Sequence, residues 1–89
     1  MLELLSNFEK AKSWLINSGI VISDFSDENS GSVHSFYDEK KNEFSFIYPE
    51  ITGYFLSTIR FLYDIEKTDN YLENGQQTAD WLIKLNQNN

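Results

Sequence analysis

The chain has no cysteine, so disulfides and thiolate metal sites are excluded. Its one histidine, His34, rules out a multi-histidine metal site within a single chain, and no metal or cofactor is expected. Basic residues are scarce: seven Lys and Arg stand against fourteen Asp and Glu, a net charge of −7. A binder of the phosphate backbone needs a basic face, so nucleic acid is not an expected partner. No uninterrupted apolar run approaches the ~20 residues that cross a bilayer, so no membrane partner is expected either. There is no phosphate-cradling glycine loop and no Gly-x-Ser-x-Gly nucleophile motif. The opening Met1-Leu2-Glu3-Leu4-Leu5 lacks a basic leader, and Glu3 and Glu9 interrupt its apolar stretch. The expected compartment is therefore the cytoplasm.

What the chain does have is aromatic surface: seven Phe, five Tyr and two Trp in 89 residues. A disordered acidic segment would be poor in these, so the chain should fold or dock. At this length it is one small domain at most, and folding buries only roughly 60–65% of the surface that the unfolded chain exposes. The acids are spread along the chain, as on a solvated acidic surface.

Residues 3–18 read as an amphipathic helix, with Leu4, Phe8, Ala11 and Leu15 recurring at helical spacing opposite a polar stripe. Gly19 suits its C-terminal cap. A loop and β-hairpin are expected over 20–48. Ser23 to Ser32 is rich in turn formers, and 33–37 and 43–48 read as strands around a polar turn at 38–42. Phe44 and Phe46 should share one face of the second strand, since side chains alternate there. Pro49 fits the first position of a helix over 49–66, with Glu50 in its positive first turn. A third helix is expected over 69–86, started by Thr68 or Asp69, with Leu72, Gly75, Ala79 and Leu82 as its buried stripe. Asp80 and Lys84 are placed to pair on its exposed face.

The middle helix is apolar nearly all round; only Ser57, Arg60 and Asp64 make a polar stripe. Such a helix is buried on several sides, and neighbours within this chain should leave part of it uncovered. Trp14-Leu15-Ile16 in the first helix and Trp81-Leu82-Ile83 in the third match as a weak internal repeat. The fold class expected is mainly α: three helices, with a small β-hairpin between the first and second.

Candidate chemistry is thin. Glu50 and Asp64 would lie about 21 Å apart along one helix at 1.5 Å per residue, too far for an acid/base pair. Asp64 should pair with Arg60. Glu50 either favours the helix start by its charge or contacts a ligand. His34 fits a hydrogen-bonded strand residue better than a general base. Trp14 and Trp81 suit packing or stacking on sugar rings. Asp24, Asp27, Glu28 and Asn29 lack the spacing of a calcium loop.

Four segments in order carry a resemblance: Gly31-Ser32-Val33-His34-Ser35-Phe36-Tyr37, Tyr48-Pro49-Glu50-Ile51-Thr52-Gly53-Tyr54, Asp69-Asn70-Tyr71 and Ala79-Asp80-Trp81-Leu82. Together with Ala11-Lys12-Ser13-Trp14-Leu15 they resemble the N-terminal part of bacterial α/α-toroid, or six-hairpin glycosidase-like, proteins encoded with polysaccharide-biosynthesis enzymes. In those proteins a Ser-Tyr-Pro-Glu-Thr-Thr-Gly-Tyr signature opens a helix at one end of the toroid. Here Ile51 replaces a threonine and Ser32 interrupts a glycine pair. The chain also offers only about one and a half of the several hairpins that a toroid needs. The resemblance implies a carbohydrate cleft bordered by Tyr48, Glu50, Thr52 and Gly53, with His34 and Tyr37 nearby, and a glycan as ligand. It implies a role in polysaccharide biosynthesis or modification, without catalysis by this chain alone. The remaining partners expected are further helical hairpins (in one variant supplied as separate fragments), a second copy or another protein covering helix 49–66. A stand-alone helical interaction module is the alternative.

Overall fold

The computed structural model describes residues 2–87. The chain is mainly helical: α1 (Leu2–Asn17), β1 (Tyr37–Asp38), β2 (Glu43–Phe44), α2 (Pro49–Glu66) and α3 (Asp69–Gln87) follow in order. The two strands form an antiparallel hairpin between α1 and α2, as the patterning predicts.

α2 and α3 form a helical hairpin. Lys67 ends α2 in the left-handed conformation (φ 56°), and its N–H donates to Tyr63 O at 2.7 Å. That closes the last turn without the usual glycine. Phe55, Ile59 and Leu62 of α2 are buried with Tyr71 of α3. Each such aliphatic or aromatic burial contributes about 1.5–3 kcal/mol. The third helix is turned from its expected stripe. Leu72 is exposed, Gly75, Ala79 and Leu82 are half-buried, and Tyr71, Gln77, Thr78 and Trp81 face inward. The rotation arises because α3 meets backbone on that side rather than aliphatic side chains. Gly31 (φ 93°) lies on the Gln77–Thr78 peptide so closely that a Cβ there would stand 2.3 Å from Gln77 O. The Gln77 amide donates to Ser23 O at 3.0 Å and to Ser30 Oγ. Asp80 accepts from Gln76 Nε2 at 2.8 Å rather than pairing with Lys84. Arg60 and Asp64 do pair, at 3.6 Å.

The apolar run Ile20–Ile22 becomes a third extended segment beside the hairpin. Gly31 N–H donates to Ile22 O at 2.7 Å, Ile22 N–H to Ser32 O at 2.9 Å and His34 N–H to Ile20 O at 2.8 Å. Val21 bridges to Val33 and His34 to Ile47. The hairpin ladder is irregular in its middle. Phe36 N–H donates to the Ser45 hydroxyl rather than to a backbone carbonyl. This break sends Phe44 and Phe46 to different neighbours, against simple alternation. Phe44 contacts His34 and Tyr37, whereas Phe46 contacts Phe36 and Tyr48.

α1 stands apart from this core. Residues 3–11 are all exposed, including Leu4, Leu5 and Phe8 of its apolar face. Its C-terminal end carries the attachment. Leu15 and Ile16 pack on the core, and Lys12 Nζ meets Glu9 at 2.8 Å and Glu66 at 3.0 Å. Trp14 is half exposed, so the two tryptophans of the repeat do not share an environment. On α2, Tyr54, Phe61 and Ile65 remain uncovered, as a helix apolar nearly all round requires of so small a chain. No helix among the described residues is long and apolar enough to cross a membrane.

Candidate functional site

The start of α2 is built by the strand that leads into it. Tyr48 is extended (φ −123°, ψ 109°), Pro49 follows at the first turn, and Thr52 N–H donates to Tyr48 O at 3.0 Å. Thr52 is fully buried. Its hydroxyl donates to Tyr48 O at 2.9 Å and accepts the Val33 N–H at 3.0 Å, so it ties the hairpin to the helix and is spent on the fold.

Glu50 lies on the outer side of the same turn. Its carboxylate accepts the Tyr48 hydroxyl at 3.0 Å and the Tyr54 hydroxyl at 3.4 Å. The two tyrosines flank it because one precedes the helix and the other stands one turn on. The carboxylate accepts the Tyr48 phenol's hydrogen bond and repels its anion, so the phenol's pKa is raised. From Tyr48 the aromatic surface continues to Phe46, with centroids 5.9 Å apart, and on to Phe36 at 6.2 Å. Phe36, Phe46 and Tyr54 are half exposed or more. The result is a row of rings with one carboxylate set between its last two phenols, in the positive first turn of a helix.

Of the residues expected at a carbohydrate cleft, Tyr48 and Glu50 come together here. Gly53 lies on the next turn, with open space where a Cβ would be. His34 and Tyr37 join a second group around Phe44. The His34 ring stacks on Phe44 at 5.2 Å with Nδ1 2.6 Å from Ser45 O, and Tyr37 meets Phe44 edge-on at 5.1 Å. The Tyr37 hydroxyl is hydrogen-bonded to Asn42 in the turn. Phe36, Phe46 and Tyr54 are not among the expected cleft residues. The i, i+4 spacing of Glu50 and Tyr54 is a usable signal for one of them. The break in the ladder that sets Phe36 against Phe46 has no sequence signature.

The row can stack on the faces of sugar rings, and Glu50 can accept hydrogen bonds from hydroxyls. A single carboxylate does not supply the acid and base of glycoside cleavage. Among the described residues no group of His, Asp and Glu could hold a metal ion. Comparison with known protein families, with curated proteins and with solved structures found no match to this chain.

Proposed function

We propose that this chain holds a saccharide, as a non-catalytic segment of an α/α helical-hairpin assembly in polysaccharide biosynthesis or modification. The Phe36–Phe46–Tyr48–Glu50–Tyr54 row carries this reading: three rings in succession lead to a carboxylate held between the Tyr48 and Tyr54 phenols. Sugars are recognised by that pairing of flat apolar faces with hydroxyl acceptors. The α2–α3 hairpin and the order of the four motif segments agree with the resemblance to α/α-toroid proteins.

A second reading rests on a separate observation. Leu4, Leu5 and Phe8 of α1, with Phe61 and Ile65 of α2, are apolar and exposed. In a stand-alone interaction module these side chains would meet a second copy or another protein. Sedimentation across a wide concentration range tests for self-association.

The saccharide reading is tested by NMR titration with cellotetraose and with an N-acetylglucosamine tetramer. Saturable shifts should centre on Phe36, Phe46, Tyr48 and Tyr54. Glu50→Gln should weaken them severalfold, while stability changes by no more than about 1 kcal/mol. Shifts unaffected by Glu50→Gln, or none at all, would sink it.

A further inference from the structure

A second concave surface lies away from the aromatic row, between the 24–30 loop and α3. It is an open groove of about 650 Å³. Phe25 supplies its apolar wall, and the edge of the buried Trp81 lines it beside α3. Trp81 is held in place: its indole N–H donates to Asn29 Oδ1 at 3.2 Å, and Asn29 N–H donates to Asp27 Oδ1 at 2.8 Å. Phe25 is 75% exposed, a large apolar side chain left in solvent on an otherwise polar loop. Four carboxylates (Asp27, Glu28, Glu73 and Asp80) border the groove against one ammonium, Lys84. Glu73, Asp80 and Lys84 share a face of α3 and span about 16 Å at 1.5 Å per residue. An extended peptide covers that distance with about five residues.

We propose that this groove binds a short, extended, basic segment of a partner protein. The charge balance of the lining selects a cationic occupant. Aromatic walls beside carboxylates are the surroundings in which a guanidinium or ammonium gains both cation–π and ion-pair contacts. Its long aliphatic stem covers Phe25 while its head reaches the acids. This assignment is independent of the saccharide reading, since none of its residues belongs to the aromatic row.

The test uses the full chain carrying Trp14→Phe, so that Trp81 is the only indole. The probe is an N-acetylated, C-amidated penta-arginine peptide. A saturable change in Trp81 fluorescence is expected. Phe25→Ala, or Glu73→Gln with Asp80→Asn, should weaken it by roughly tenfold. Glu3→Gln with Glu39→Gln removes the same charge elsewhere and should alter it less than about twofold. All substituted groups are exposed, and circular dichroism checks that each variant keeps its helices. Equal weakening by the two charge-removing pairs would overturn the groove, since only net charge would then be at work. So would the absence of saturation, or a response to the N-acetylglucosamine tetramer but not to the peptide.

Discussion

The Val33 N–H donates to the Thr52 hydroxyl at 3.0 Å, a buried contact that joins the hairpin to the first turn of α2. The same hydroxyl donates to Tyr48 O, so one side chain fixes where the strand ends, where the helix begins and how the two are held. The rings of the aromatic row lie on both sides of this joint: Phe36 and Phe46 come from the hairpin, and Tyr54 from the helix.

Thr52→Val keeps the shape and removes both hydrogen bonds, leaving the buried Val33 N–H without a partner. The expected cost is about 1–3 kcal/mol, measured as a lower urea midpoint. Thr52→Ser keeps the hydroxyl and should lose much less. A larger loss for Ser than for Val would show that the methyl group, rather than the hydroxyl, is what the site needs.

Two glycines should respond in opposite directions. Gly31→Ala forces a side chain onto the α3 backbone at a positive φ, and should cost more than about 2 kcal/mol. Gly53→Ala adds a methyl where nothing lies within 4 Å, inside a helix. It should stabilise by roughly 0.5–1 kcal/mol, read as a higher melting temperature. A destabilising Gly53→Ala would mean that this face of α2 is covered.

The attachment of α1 should be visible in the pH dependence of stability. The Tyr71 hydroxyl donates to Glu66 at 2.7 Å, and this bond, followed by that of Lys12, lowers the Glu66 pKa. A carboxyl lowered on folding contributes stability above its unfolded pKa, and the contribution is lost as pH falls through that value towards the folded one. Lys12 is shifted the opposite way, first by Glu9 and then by Glu66. Its contribution is therefore present below the ordinary lysine value and lost only as pH rises through the raised one. Glu66→Gln should be less stable than the parent near pH 7, and in urea titrations the two should draw together as pH falls below the ordinary carboxylate range. Parallel curves at acid pH would sever Glu66 from the stability of the fold.

Several elements are legible in the amino-acid sequence. Pro49 with Glu50 marks the start of the middle helix at the right residue, because proline lacks the N–H that a first turn cannot use. The hairpin between the first two helices follows from two β-rich stretches around Asp38–Asn42. The Arg60–Asp64 pair follows from i, i+4 spacing. Facing is what the pattern misses. The aliphatic residues of α3 point to one stripe, yet Gln77 and Thr78 are buried and Leu72 is not. Periodicity reports which residues can share a face; it cannot report that the opposing surface is the backbone of Gly31. Likewise, nothing in Leu4, Leu5 and Phe8 announces that their helix meets the core only at its other end.

Composition and local pattern thus determined the helical class, the order of elements and the net negative charge. Each depends on a residue and its near neighbours. Tertiary structure alone decided that Thr52 would be internal while Glu50 stayed exposed, two positions away on the same turn. It also brought Phe25 to the groove lined by Trp81, and separated Phe44 from Phe46. These outcomes rest on contacts between distant segments, and such contacts form only where backbone hydrogen bonds and packing can be satisfied together.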